Sequence, residues 1–228
     1  MVEKELLDYR LAKMIYSQNM FTAWKRDRNE FIDKYIKHIF WSDDGQLDRE
    51  YEKNMSYGRD YHLMCQRIFL GIEPIRSKNV GDRGLDKIIN IYNTYKDRYN
   101  DRLEFKPEYT IELKDRIQVT YDLIVEIYDD SGNLLKVDIW DWKTEARKIE
   151  KKHAENRIQT QLYMYVCKES IASNVEYENI RMYYYQPFKD NLILINYSKD
   201  KHIDNKTKIY TMIDEIRNIN MSDITGET

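Results

Sequence analysis

Residues 117–144, which read IQVTYDLIVEIYDDSGNLLKVDIWDWKT, contain the strongest secondary-structure signal of this chain. Two runs rich in β-branched and aromatic residues, Ile117 to Tyr128 and Leu134 to Trp142, flank a polar cluster at 129–133. Apolar runs of this length that are separated by a short turn-forming segment are typical of a β-hairpin. The sequence therefore predicts two antiparallel strands joined by a turn at Ser131-Gly132.

The register of this predicted hairpin brings two carboxylates together. If Ser131-Gly132 is a two-residue loop, Asp122 lies opposite Asp141, and Thr120 lies opposite Lys143. Because side chains alternate along a strand, all four then share one face. Facing Cβ atoms lie about 4.5–5.5 Å apart, which is close enough for two carboxylates to hold one hard cation. A slip of one residue would place the two aspartates on opposite faces.

The triplet Asp141-x-Lys143 carries little weight by itself, because five acidic-x-Lys triplets occur in the chain. Only this one closes a predicted strand that faces another strand bearing an aspartate. Two carboxylates and an ammonium group at this spacing favour metal-dependent phosphodiester chemistry. The alternative is a solvated amphipathic hairpin whose charges pair with one another.

Length and composition favour one α/β domain over 1–228, with a mainly helical part at 1–100 and an α/β core at 101–228. Only 7 Gly and 3 Pro are present, and no stretch has the composition of a linker. No signal-peptide pattern or membrane-spanning run is found, so the sequence predicts a soluble, cytoplasmic protein without a membrane partner. The net charge of −3 argues against a protein that coats nucleic acid through bulk positive charge.

The two cysteines, Cys65 and Cys167, are expected to be reduced and buried in an intracellular protein. Two cysteines cannot supply an iron–sulfur cluster that takes four ligands from one chain. We therefore expect no iron–sulfur cluster.

Hydrophobic periodicity predicts the remaining elements and their order. It indicates helices, then three strands, a helix, two strands and a final helix, which fits a mixed central β-sheet flanked by helices. The predicted helices span 6–21, 31–39, 51–70, 84–99, 151–169 and 200–218, with a loop at Ser42 to Gly45. The predicted strands outside the hairpin span 108–113, 180–185 and 192–197.

Four sequence features occur in the order seen in a known superfamily. His62 lies in a predicted helix, Asp122 in a strand, Asp141-x-Lys143 in the next strand, and Gln161-x-x-x-Tyr165 in the following helix. This set resembles the PD-(D/E)XK nuclease superfamily, specifically its RecB-like branch, over roughly residues 55–169. The residue before Asp122 is Tyr121 rather than the proline of the superfamily's name. The cysteines of the iron–sulfur exonucleases of this branch are absent.

The resemblance implies a restriction-endonuclease-like core with an N-terminal helical elaboration, and it implies site residues. It implies one or two Mg²⁺ or Mn²⁺ ions held by His62, Asp122 and Asp141, with the backbone carbonyl of Trp142 completing the coordination. Lys143 would position or help deprotonate the attacking water. Gln161 and Tyr165 would line the site.

Basic residues follow the predicted site. They are Arg147, Lys148, Lys151, Lys152 and Arg157, and their position favours contacts with substrate phosphates. A solvated helix face is the alternative for this run. Trp140 and Trp142 alternate with Asp141, so they are expected to face the opposite side of the sheet and serve the core.

These observations together predict a metal-dependent nuclease that acts on DNA, in the form of an exonuclease or an enzyme of single strands or duplex ends. One alternative is a catalytically silent relative that binds nucleic acid or acts as a scaffold. Another is an unrelated α/β protein whose hairpin charges are accidental.

Overall fold

The computed structural model describes residues 4–39, 46–75 and 82–225. Within these ranges, helices pack on both faces of a six-stranded mixed sheet, as the sequence predicted. The strands are β1 (Tyr16–Ser17), β2 (Leu103–Glu112), β3 (Ile117–Tyr128), β4 (Leu134–Trp142), β5 (Ile180–Gln186) and β6 (Asn191–Asn196). The helices are α1 (Lys4–Lys13), α2 (Gln18–Arg26), α3 (Arg28–Phe31, continued by a π-helical turn at Ile32–Ile36), α4 (Gln46–Phe69), α5 (Asp82–Tyr99), α6 (Lys151–Glu155), α7 (Ile158–Glu169), α8 (Lys199–Arg217) and α9 (Met221–Thr225). No helix in these ranges combines the length and the apolar character needed to cross a membrane.

Strand β3 organises the sheet. One edge of β3 pairs along its length with β2. The other edge pairs first with β1, in parallel, and then with β4, in antiparallel orientation, from Leu123 onward. Strand β4 continues the sheet through a parallel pairing with β5, which pairs with β6. As a result, β3 changes partner close to Asp122.

The predicted hairpin is confirmed in both strands, but its turn differs from the prediction. Asp129 and Asn133 close a three-residue loop in which Gly132 has a φ of +81°. The pairing near the loop is therefore one residue out of the predicted register, and an irregularity between Ile127 and Tyr128 restores it. From Leu123 to Ile127 the observed pairs are those predicted, such as Leu123 with Trp140. The bulge compensates for the longer loop, which explains why an incorrect turn led to the correct register.

Several predicted boundaries differ from the structure, and three of these differences have a clear physical reason. The first helix is interrupted because Tyr16 and Ser17 pair with β3, and Ser17 then caps α2. Strand β2 begins at Leu103, five residues early, because an edge strand tolerates Pro107. The helix predicted at 151–169 breaks where Arg157 adopts an extended conformation and begins α7. The predicted loop Ser42 to Gly45 lies outside the described residues.

Two apolar cores lie on the two faces of the sheet. The larger core packs α2, α7 and α8 against one face, and the second core packs α4 and α5 against the other. Trp140 and Trp142 belong to the second core, which confirms the prediction that they point away from Asp141. Cys65 and Cys167 are both buried and unpaired, one in each core.

Candidate metal centre

Asp122 lies in the fork where β3 and β4 separate. The regular ladder between these strands ends at the pair Leu123–Trp140, and the next backbone bond is replaced by a side chain. The amide of Trp142 donates to Asp122 Oδ2 over 2.7 Å. The carboxylate thereby takes the place of a strand carbonyl as the acceptor for this amide.

The two-stranded ribbon formed by β2 and β3 has a crossing at Asp122, where the residues that face one core change to facing the other. Tyr121 packs in the core of α7, whereas Leu123, two residues later, packs in the core of α4. A regular strand would place both residues on one face. Strand β2 changes sides at the facing position, where Glu108 has a φ of +50°, so that Phe105 and Ile111 also serve different cores. The regular alternation of side chains along β3 is therefore interrupted at Asp122.

Helix α4 brings His62 to this crossing. His62 Nδ1 lies 3.3 Å from Asp122 Oδ1, and Glu108 completes a group whose ligand atoms lie within 4.8 Å of one another. Gly58, one turn before His62, allows close approach, because a Cβ atom there would lie 3.3 Å from Thr144 Oγ1. An open cleft of about 520 Å³ runs beside His62 and Glu108.

Asp141 and Lys143 lie toward α7. Lys143 Nζ is 2.8 Å from Asp141 Oδ2, and Asp141 is 1% exposed. Asp141 Oδ2 is thus a buried oxygen whose partner among the described residues is the ammonium group of Lys143. The other oxygen of Asp141 accepts a hydrogen bond from Gln159 Nε2.

The glutamine that contacts Asp141 is thus Gln159, whereas the predicted Gln161 does not contact it. Residues two apart on a helix point about 200° apart, so Gln161 and Tyr165 lie away from Asp141. Gln161 lines a pocket beside α8, and the hydroxyl of Tyr165 donates to that of Tyr210. The structure therefore does not bring Gln161 and Tyr165 to the cluster.

The sequence contained a signal for Gln159 and a second tyrosine. Gln159 and Tyr163 have the same Gln-x-x-x-Tyr spacing two residues earlier. Tyr163 faces the sheet, where its hydroxyl donates to the carbonyl of Thr120 over 2.6 Å. Glu108 was also missed, although a turn at 114–116 places it opposite Asp122 in the β2–β3 ribbon.

The charges of the cluster are coupled. Burial raises the pKa of Asp141, and the carboxylate of Asp122 adds to this effect, while Lys143 opposes it. Burial lowers the pKa of Lys143, but Asp141 and Asp122 outweigh it and the net pKa is raised. The pKa of His62 is likewise lowered by burial and raised overall by Asp122. These mutual effects show that His62, Asp122, Asp141 and Lys143 form one electrostatic unit.

The predicted basic residues behave differently from one another. Arg157 forms a two-pronged ion pair with Glu145, at 2.9 and 3.0 Å, so its charge is already matched. The remaining four are exposed and make no ion pair with another described residue: Arg147, Lys148, Lys151 and Lys152. They are available to solvent and do not contact the cluster around Asp122.

The model of the PD-(D/E)XK nuclease superfamily matches residues 76–226, about two thirds of the chain. The chain belongs to this superfamily. The match includes Asp122, Asp141 and Lys143 at the fork described above.

Two solved structures resemble the fold at low sequence identity. One, from Eubacterium rectale, is named "Putative exonuclease"; it has a TM-score of 0.47 and 12% identity, and the alignment covers 100% of this chain and 88% of that one. The other is the protein SSO0001, with a TM-score of 0.42, 14% identity, and coverage of 98% and 89%. No curated protein sequence matches the chain.

Proposed function

We propose that this protein is a metal-dependent nuclease that hydrolyses DNA phosphodiester bonds. The observation that carries the proposal is the convergence of His62, Asp122, Asp141 and Lys143 at the end of β4, beside an open cleft. We infer that the protein belongs to the RecB-like branch, because a helical histidine and a Gln-x-x-x-Tyr helix accompany the two strands. We also propose that residues 1–228 form one nuclease-like domain.

The residues present fit a divalent cation of the Mg²⁺ or Mn²⁺ type. Carboxylate oxygens suit both ions, and imidazole suits Mn²⁺ better. The buried Asp141 Oδ2 contacts the Lys143 ammonium at 2.8 Å, and because a carboxylate oxygen has two lone pairs it can also contact a cation. We assign His62, Asp122 and Asp141 as ligands, with the carbonyl of Trp142 as predicted and Glu108 as an addition. A bound cation would neutralise charge at the scissile phosphate and activate water.

Lys143 would act mainly by stabilising negative charge. Its raised pKa keeps it an ammonium at neutral pH, so it can donate to a phosphate oxygen or to the attacking water. Gln159 fixes the carboxylate of Asp141, and Tyr163 holds α7 against β3 at Thr120. We assign these two as positioning residues.

Incubation of the purified protein with linear and covalently closed circular DNA tests the proposal. Cleavage is expected with Mg²⁺ or Mn²⁺ and no cleavage with EDTA. Products from linear DNA alone would indicate an exonuclease or end-acting enzyme, and products from both would indicate an endonuclease. Single-stranded, duplex and RNA substrates should be compared in the same assay. DNA binding without cleavage under any metal would favour the silent relative instead.

His62→Ala is expected to raise the metal concentration needed for half-maximal cleavage, more for Mn²⁺ than for Mg²⁺. The reason is that imidazole is a ligand that Mn²⁺ accepts more readily. Calorimetric titration of Mn²⁺ into the protein gives a second measurement that does not depend on activity. Glu108→Gln is the companion variant, and weaker Mn²⁺ binding would assign Glu108 as a ligand.

A purely structural histidine would behave differently. His62→Ala would then lower the melting temperature and leave the metal titration unchanged. That outcome would remove His62 from the site and leave a centre formed by carboxylates alone.

A further inference from the structure

A second pocket lies behind α7, on the side away from Asp141. It has a volume of about 300 Å³ and is formed by α2, α3, α7 and α8. The residues that matter for its chemistry are Trp24, Lys25, Arg28, Gln161, Lys208 and Glu215. None of them contacts the cluster around Asp122, as far as the described residues show.

Gln161 presents an unpaired side-chain amide to this pocket. It is 8% exposed, and its side chain makes no hydrogen bond with any other residue that the structure describes. Buried polar groups are nearly always hydrogen-bonded to protein, water or ligand. The amide of Gln161 therefore has a donor and an acceptor available to water or to a ligand in the pocket.

The amino end of α7 lies beside the same pocket, where Ile158 is part of the lining. Arg157 precedes the helix, and its side chain makes no capping hydrogen bond. The first backbone bond in the helix runs from the amide of Gln161 to the carbonyl of Arg157. Within the described ranges, the amides of Ile158, Gln159 and Thr160 have no acceptor, as expected for a first turn. Such amides, with the positive end of the helix dipole, favour anions.

The charged residues of the pocket have the same preference. Three cations and one carboxylate line it, and because Lys208 also pairs with Asp204 at 2.6 Å, the excess of positive charge is that of Lys25. The carboxylate, Glu215, already accepts hydrogen bonds from Trp24 Nε1 at 2.9 Å and from Arg28 at 3.1 Å. Lys25 makes no ion pair with any described residue, and it is exposed at the rim. Its ammonium group is therefore available to an incoming anion.

We propose that this pocket binds a phosphate group of the nucleic-acid strand that the active site cleaves. The inference rests on the proposed function for the identity of the strand, while the preference for a phosphate follows from the pocket itself. Gln159 and Gln161 lie on opposite sides of the first turns of α7, so pocket and metal centre are separated by about the 10 Å width of a helix. A strand that passes the end of α7 reaches both, which would fix its position relative to Asp141.

Binding of a fluorescein-labelled single-stranded oligonucleotide, measured by anisotropy in EDTA, tests the proposal without cleavage. Lys25→Ala and Gln161→Glu are each expected to weaken binding about tenfold, because each removes or repels one charge-assisted contact. Lys25→Ala should also reduce the slope of log affinity against log salt concentration by about one. Arg26→Ala is the matched control, since Arg26 is the exposed neighbour of Lys25 and pairs with Glu30 outside the pocket.

Oligonucleotides with a 5′-phosphate, a 3′-phosphate or two hydroxyl ends identify the source of the phosphate. A preference for one phosphorylated end that is lost in Lys25→Ala would support binding of a terminal phosphate. An equal loss for all three would support an internal phosphate. Unchanged affinity in both Lys25→Ala and Gln161→Glu, or an equal loss in Arg26→Ala, would overturn the proposal.

The readout is independent of catalysis. If the wild-type protein binds the oligonucleotide but cleaves nothing with any metal, the proposed nuclease activity fails and the pocket is still tested. If it cleaves DNA but the two variants bind normally, the pocket proposal fails alone. Thermal melting shows whether Gln161→Glu is folded, and Lys25 lies on the surface, where substitution rarely affects folding.

Discussion

Asp141→Asn is expected to lower the rate of DNA cleavage by on the order of 10³-fold or more, with the protein still folded. The substitution removes the negative charge that would hold a cation, and metal ions contribute several kcal/mol of transition-state stabilisation in such reactions. The amide keeps the shape of the side chain and can still contact Gln159. Cleavage rates measured beside thermal melting separate the loss of chemistry from a loss of folding.

Asp138→Asn is the matched control for this experiment. Asp138 lies on the same strand, is equally buried at 1% exposure, and also pairs with a lysine, Lys136, at 2.9 Å. Its side chain faces the opposite core, where Tyr95 donates to it. We expect Asp138→Asn to retain cleavage. Full activity in Asp141→Asn, or an equal loss in Asp138→Asn, would contradict the assignment.

Trp140→Ala is expected to lower the free energy of unfolding by about 3–5 kcal/mol, the usual cost of removing a large buried aromatic side chain. Trp140 is 5% exposed and stacks on Tyr183 with ring centroids 4.4 Å apart. Its indole Nε1 also donates to the hydroxyl of Tyr95 over 3.0 Å, and that hydroxyl would lose a partner. Urea denaturation followed by circular dichroism measures the change.

Leu135→Ala provides the comparison on the same strand. Leu135 is 51% exposed, and substitution of exposed residues usually changes the free energy of unfolding by less than about 0.5 kcal/mol. If the two variants unfold at the same urea concentration, the second core does not depend on Trp140. Such a result would also remove the main support for the conclusion that one face of β4 packs in the second core while the other carries Asp141.

The irregular β2–β3 ribbon is central to the candidate metal centre. A non-glycine residue with a φ near +50° costs free energy, and it persists only where the surrounding structure holds it. Here the left-handed residue is Glu108, which belongs to the candidate metal group. The odd-numbered residues of β3 before the crossing serve one core, and those after it serve the other. The strain is therefore located at the position where ligands from β2, β3 and α4 meet.

The hairpin could be predicted from sequence because it depends on local patterns. Two β-branched runs and a polar turn specify the strands Ile117–Tyr128 and Leu134–Trp142, and alternation along β4 puts Trp140 and Asp141 on opposite faces. The residues of the cluster could be named because their types and order resemble a known superfamily. These features depend on neighbours in the chain.

What the sequence did not determine depends on contacts between distant segments. The two overlapping Gln-x-x-x-Tyr pairs of α7 have the same spacing, and only the rotation of the docked helix selects Gln159 over Gln161. Alternation along the strands predicted that Asp122 and Asp141 share one face. In the structure they come together because β3 and β4 separate at Asp122 and the β2–β3 ribbon crosses there. The physical reason is that helix rotation and strand crossing follow from how two cores are packed, and packing involves residues far apart in the chain.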